Sequence, residues 1–547
     1  MQPGSGEPAN YAQEALGLFR EFGDTEALVD GDRRLTFAQL RQAVLDMAAT
    51  LADLGVQPGS AALVMVTNSV EGPILHLSLH LLGCRSMWIA PVTSHREIRE
   101  FADLAAPDLF IYDVRSPSEV WREITAASQS IPVLSIGAGV GLSAPRPPGA
   151  ASWSTTTPTP LPETFLQTSG TTGTPKLVHH KHGFYLQILA LAKQFRAGGF
   201  PLLRHLSHSP MWLASGQMTT LFNLFTGGVL FLREDWDPGA FLQITEAERI
   251  TSTFLTPPML YEVLDHPDCE RADLSSMFMF NVGAGPAAPS RLRQAIARFG
   301  PVLRIVYGLS EAVVIAALPG LTEDPEHPER LRSCGTPFGD VQIEIRGTAE
   351  GSGTDGTDGP DGADRPADAA PLPTGRTGEV WVRSRLSFSG YYGQPELTAA
   401  TIVDGWVRTR DLGYLDSDGY LYLVDRVHDM IVTHRRNWAI FCRPIEDALA
   451  EHPHVRAAAV IGVPDGAVGE APHAYVVRTE DAQVTEAELI ALVSRTLNEM
   501  WAPHSVEFVE RLPRNRSAKV DKQALRAAWA QRHPAPATSS TSAGRAG

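Results

Sequence analysis

Residues 168–176 read Thr168-Ser169-Gly170-Thr171-Thr172-Gly173-Thr174-Pro175-Lys176, five hydroxylated side chains, two glycines and one lysine in nine positions. Glycine lets a backbone turn tightly and approach an anion closely. Hydroxyls donate hydrogen bonds to phosphate oxygens, and the lysine adds a point charge. The chemistry is that of a loop holding a polyphosphate. The spacing is not that of a Walker loop, because Pro175 precedes the lysine and Leu177 follows it. Taken alone, the stretch also suits a polar turn between two elements.

The elements that must position this loop are legible as an alternation of helix and strand. Phe37 to Leu54 carries apolar residues at helical spacing, and Ala61-Ala62-Leu63-Val64-Met65-Val66 reads as a buried strand. Ile74 to Leu82 suits a packed helix, and Asp108 to Tyr112 another strand. Such alternation predicts a largely parallel sheet covered by helices. Residues 143–162, rich in Pro, Ser and Thr, read as a connector into the loop. Near Val341 the pattern changes to short strands: Val341–Ile345, Gly378–Val382 and Tyr420–Val424. The Gly/Asp/Ala/Pro-dense stretch 347–375 reads as a disordered insertion, and 531–547 as a disordered tail. A strand at Ala457–Val463 and a helix at Glu486–Met500 mark a smaller unit at 429–530.

With 547 residues the chain needs several structural units. Apolar content of 43% and charged content of 20% are those of an ordinary soluble protein. A net charge of −16 argues against a large nucleic-acid surface. Cys84, Cys269, Cys334 and Cys442 lie far apart without zinc spacing and read as reduced thiols of a cytoplasmic protein. No stretch approaches the ~18 apolar residues of a membrane span, and the first residues lack a signal-peptide pattern.

Four further segments follow the loop in order. Asn281-Val282-Gly283-Ala284-Gly285-Pro286 is a glycine-rich strand end, and Tyr307-Gly308-Leu309-Ser310-Glu311 closes the apolar strand Leu303–Val306. Thr409-Arg410-Asp411-Leu412-Gly413-Tyr414 leads to Asp425-Arg426. The last runs from Leu512 to Asp521 around Lys519. With the loop, this ordered set resembles the adenylate-forming ligase superfamily of acyl-CoA synthetases, peptide-synthetase adenylation domains and luciferases, over about residues 15–530.

The resemblance implies an α/β fold. Residues 1–424 would form a large N-terminal domain of two α/β subdomains plus a small β-barrel. A hinge at 425–428 would carry a small mobile α/β C-terminal domain. It implies ATP and Mg²⁺ as cofactors, and an acid activated as its adenylate with release of pyrophosphate. Thr168 to Thr174 and Lys176 would hold the β- and γ-phosphates. Glu311 would bind Mg²⁺, a hard cation suited to carboxylate oxygen. Tyr307 would stack on adenine in a slot shaped by Gly285, Pro286, Gly308 and Ser310. Asp411 would accept the ribose hydroxyls, Arg426 would contact ribose or phosphate, and Lys519 would reach the α-phosphate and the carboxylate. Met211, Trp212 and Gly283, with Met279 and Phe280, would line an apolar acid pocket. Each also has a plain reading: Glu311 a surface glutamate, Tyr307 a core aromatic, Asp411 a turn residue, Lys519 one charge in a basic run. His179, His180 and His182 lack a metal-site pattern and read as packed or solvent-facing.

The chain departs from the family pattern in four places. Ala518 stands where glycine precedes the lysine, and His428 where the hinge has an acid. His434-Arg435-Arg436-Asn437-Trp438 replaces a glycine loop that lines the thiol tunnel. Trp212-Leu213 replaces an aromatic-His pair after Pro210. A small-molecule acid passed to CoA, a carrier-protein thiol or an amine is the leading reading. Nitrite activated for transfer to an aryl amine is a second, and a nucleotide binder without catalysis a third.

Overall fold

The computed structural model describes residues 10–91, 95–116, 132–137, 159–168, 176–347, 370–426, 429, 431–433, 438–465, 469–479, 483–515 and 518–533. The chain divides into two compact units. One is built from the residues up to Ala287 and from Arg291 to Leu423; the other comprises Ala288–Ser290 and the chain from Val424 onward.

The first unit contains two large sheets and a smaller one. In the six-stranded sheet the order is Val133–Ile136, Leu109–Asp113, Ala61–Met65, Arg85–Trp88, Glu163–Thr168 and Lys176–Lys181. All neighbours are parallel except the last pair. Ala61–Met65 is buried throughout, as a strand covered on both faces must be. Helix Phe37–Asp53 starts on a capping box between Thr36 and Gln39. Helix Glu71–Leu81 is buried all round and covers the helical reading of Ile74–Leu82 except for Leu82, its C-cap, while starting three residues earlier.

The nine-stranded sheet has a central parallel run: Leu303–Tyr307, Met279–Gly283, Ser252–Leu255, Arg204–Ser207, Val229–Leu232 and Glu26–Asp30. Parallel neighbours bring the carboxyl ends of Met279–Gly283 and Leu303–Tyr307 side by side, the place where open α/β sheets bind ligands. The smaller sheet is antiparallel, in the order Gln342–Arg346, Gly378–Arg383, Trp406–Leu415, Ile402–Val403, with Leu421–Arg426 also pairing to Trp406–Leu415. Among the described residues no pairing joins its two ends, so the expected small β-barrel is not confirmed.

In the second unit, Val455–Asp465 and Gly469–Arg478 form a long antiparallel pair, with Ser505–Phe508 parallel to the latter. Helices Cys442–Ala450, Glu486–Thr496 and Lys522–Arg532 accompany them. The apolar core there includes Ile445, Leu449, Val460, Val476 and Leu489. No helix among the described residues is long and apolar enough to cross a membrane.

Candidate active site

Tyr307 ends its strand, and its hydroxyl donates to Asp411 Oδ2 at 2.5 Å. Both side chains are buried. Burial, and then the Asp411 carboxylate, hold the Tyr307 phenol well above its ordinary pKa, so it stays a donor. Two motif segments about a hundred residues apart in sequence thus meet in one contact.

A local irregularity aims Asp411. Along Trp406–Leu415 the register against Gly378–Arg383 shifts between Glu379 and Trp381, so that Thr409, Arg410 and Asp411 lie opposite Val380 alone. Arg410 takes a left-handed backbone, φ 62°. The Thr409 hydroxyl ties to the Val380 carbonyl at 2.7 Å and accepts from the Asp411 N–H at 3.1 Å. Arg408 and Glu379, both buried, fasten the two strands through a 2.9 Å ion pair. Bulges of this kind redirect a side chain next to a site.

Gly308 follows Tyr307. A Cβ there would lie 1.9 Å from the Val313 carbonyl oxygen, so only glycine lets the chain fold back toward Glu311. Glu311 Oε1 accepts from the Tyr391 hydroxyl at 2.8 Å. The Lys176 Nζ lies 5.7 Å from the centroid of the same ring. Lys176 and Glu311, both named from the sequence, are therefore gathered around Tyr391, which the sequence reading missed. Its only local signal is an aromatic pair between glycines, Gly390-Tyr391-Tyr392-Gly393.

Thr168 pairs with Lys176 across the strands Glu163–Thr168 and Lys176–Lys181, so the intervening segment begins and ends at adjacent positions. Ser169, Gly170, Thr171, Thr172, Gly173 and Thr174 lie outside the described residues, as do His428, residues 434–437, and most of 347–375 and of the 531–547 tail. Gly283 is buried at its strand end, while Gly285 and Pro286 are exposed in the turn beyond, and Ser310 is half-buried between Tyr307 and Glu311. Met211 and Trp212 are buried in a large apolar cluster with Ile74, Tyr185 and Phe225, and the Met211 carbonyl accepts from Gln217 at 2.9 Å. Phe280 is buried in a second cluster, with Leu255 and Phe299 packed nearby. His180 is fully buried, and burial drops its pKa to about 3.

Arg426 and Lys519 belong to the second unit. Arg426 is exposed at the end of Leu421–Arg426. Lys519 sits in a tight hairpin: Arg514 bridges Val520, the Asn515 N–H donates to the Lys519 carbonyl at 2.8 Å, and the Lys519 N–H donates to Asn515 Oδ1 at 3.1 Å. Ala518 has φ 57°, the left-handed region that glycine adopts freely.

The donor set suits a nucleotide with a hard cation. Glu311 makes no ion pair among the described residues, which leaves its carboxylate available. No group of three or more His, Cys, Asp or Glu that could hold a metal occurs among them.

A family model described as AMP-binding enzyme matches residues 18–392, and one described as AMP-binding enzyme C-terminal domain matches residues 444–519. A medium/long-chain-fatty-acid–CoA ligase of Mycobacterium tuberculosis is 32% identical over 95% of this chain and 90% of its own length. A feruloyl-CoA synthase of an Amycolatopsis species is 31% identical over 91% of this chain and 95% of its own. The solved structure of the amide bond synthetase McbA from Marinactinospora thermotolerans superposes with a TM-score of 0.77 at 32% identity, covering 94% of this chain and 100% of that one.

Proposed function

Because this chain belongs to the AMP-binding enzyme family, and is an ATP-dependent, AMP-forming ligase, we propose that it adenylates an aryl or other apolar carboxylic acid and transfers the acyl group to an amine. The observation that carries the nucleotide half is the Tyr307–Asp411 hydrogen bond, which joins an aromatic platform to a buried carboxylate acceptor. In this reading Asp411 takes the ribose hydroxyls, and Tyr307 presents its ring to the adenine. Lys176 meets the charge of the departing pyrophosphate. Lys519 neutralises the charge that develops on the α-phosphate as the acid's carboxylate oxygen bonds to phosphorus and the bond to pyrophosphate breaks. Glu311 would hold a Mg²⁺ ion, which supplies electrostatic stabilisation of phosphate oxygens.

The amine acceptor is supported by two observations. Arg435, Arg436 and Trp438 stand where the thiol tunnel of the family pattern has glycine. A relative at 32% identity, matched along its whole length, is an amide bond synthetase. The similarity to a fatty-acid–CoA ligase and a feruloyl-CoA synthase keeps a thiol acceptor as the second reading. The named relatives give no support to nitrite.

The test is AMP release from ATP across a panel of aryl and aliphatic acids, each with CoA, with an amine, and with neither. Acid-dependent AMP with an amide product, and no thioester, supports the proposal. Thioester formation with CoA at comparable rate would move the acceptor to a thiol, and AMP release independent of any acid would remove the acid-activating reading.

A further inference from the structure

The reading above places an ammonium, Lys176, and a carboxylate, Glu311, at one polyphosphate site. Opposite charges in a half-buried site attract strongly, and the simplest unliganded state is an ion pair that blocks both. No such pair forms here among the described residues. Tyr391 stands between them, donating its hydroxyl to Glu311 Oε1 at 2.8 Å while Lys176 Nζ lies 5.7 Å from its ring centroid.

The chain around Tyr391 is stitched to both partners. On one side the Phe388 N–H donates to the Glu311 carbonyl at 2.8 Å, and Ser387 bridges Ala312. On the other, Tyr391 bridges Val178, the His179 N–H donates to the Gly390 carbonyl at 2.9 Å, and the Tyr392 N–H donates to the Leu177 carbonyl at 2.9 Å. Gly390 makes the turn possible: its φ is 135°, and a Cβ would sit 2.5 Å from Thr398 Cγ2. The Thr398 hydroxyl in turn accepts from the Tyr391 N–H at 2.9 Å. A core aromatic would need none of these polar ties.

We propose that Tyr391 is a positioning residue that keeps Lys176 and Glu311 apart and open to ligand, the hydroxyl orienting the carboxylate for the cation and the ring parking the ammonium for phosphate. This role rests on the nucleotide-site reading above.

The experiment is calorimetric binding of ATP to the full chain, with Mg²⁺ and with a chelator in its place. For Tyr391→Phe, which keeps the ring, the dissociation constant for Mg–ATP should rise on the order of tenfold. Metal-free ATP should bind within about twofold of wild type. Tyr391→Leu, which removes the ring as well, should weaken both. Placed on a Glu311→Gln background, Tyr391→Phe should add no further loss. Equal Mg–ATP affinity of Tyr391→Phe and wild type overturns the proposal, as does an equal loss with and without metal, or an undiminished loss on the Glu311→Gln background. Wild-type protein that fails to bind Mg–ATP would instead bring down the nucleotide site itself.

Discussion

Asp411 and Lys519 have separable tasks, and their variants should fail differently. Asp411 is buried and accepts the Tyr307 hydroxyl, and in the proposed site its carboxylate, an acceptor-only group with several lone-pair positions, takes the ribose hydroxyls. Replacing it with alanine removes charge-assisted hydrogen bonds of about 1.5–3 kcal/mol each. Asp411→Ala should therefore raise the ATP dissociation constant at least tenfold in a calorimetric titration. Unchanged affinity would place the ribose elsewhere. In the proposed mechanism Lys519 meets the additional charge that develops during transfer, so Lys519→Ala should cut adenylate formation by on the order of 10²–10³-fold. ATP binding should stay within a few-fold of wild type. Pyrophosphate exchange at the wild-type rate in that variant would take Lys519 out of the mechanism.

At the scale of elements, two devices hold the structure around these residues. One is a buried polar junction at the start of the first unit. The Tyr11 hydroxyl meets His80 Nδ1 at 2.6 Å and His76 Nε2 at 3.0 Å, and His80 Nε2 reaches Thr164 at 2.9 Å. Helices Tyr11–Phe22 and Glu71–Leu81 are thereby pinned to the strand Glu163–Thr168, which leads into the segment proposed to hold phosphate. Tyr11→Phe would leave two ring nitrogens short of a partner, at about 1–3 kcal/mol. The expected outcome is a lower denaturation midpoint with an unchanged m-value; an unchanged midpoint would show the junction to be energetically idle.

The other device is the hairpin that carries Lys519. Ala518 occupies a left-handed position at a cost of about 1–2 kcal/mol. Glycine there removes that strain and adds backbone freedom worth about 0.5–1 kcal/mol, so Ala518→Gly should change stability by no more than about 1.5 kcal/mol. Ala518→Val cannot take this backbone without strain and should lower the adenylation rate sharply. Equal rates for valine and alanine would mean that the turn does not set the lysine. This position explains why the family pattern has glycine there, which the residue order alone only registers as a difference.

Much of the framework is legible in the amino-acid sequence. The unbroken apolar run at Ala61–Met65 and the helical spacing of Phe37–Asp53 are local signals, and they match the observed bounds within a residue. The sequence marks Tyr307 and Asp411 separately but carries no sign that they touch. The bulge at Thr409–Asp411 depends on pairing with Val380, and Tyr391 acts on residues 80 and more positions away. Periodicity carries no information about such contacts. Met211 and Trp212 lie buried in an apolar cluster, and apolar residues near a motif are not sorted by sequence into pocket lining and core.

For the whole molecule, the first unit concentrates its titration in buried histidines. Burial lowers His76 and His180 to about 3, His205 and His208 to about 4, and His80 well below its ordinary value. Each is neutral when folded and takes a proton near pH 6.5 when unfolded. Between pH 6.5 and the folded values the unfolded chain binds more protons, so stability is complete above about pH 6.5 and falls as the solution is acidified. Every one of the five acts in the same direction, at up to about 1.4 kcal/mol per pH unit each. His180 isolates one such group, because neither ring nitrogen has a close hydrogen-bond partner, and the Ser310 backbone only partly offsets its shift. His180→Leu fills a similar volume, removes two buried polar atoms and deletes one titration. The thermal midpoint of the first unit should rise at pH 7.5, and rise further at pH 5.5 by the equivalent of about 1.4 kcal/mol. Calorimetric scans of wild type and variant across that range measure the difference. A midpoint gap that stays constant with pH would show that His180 already takes up its proton in the folded protein.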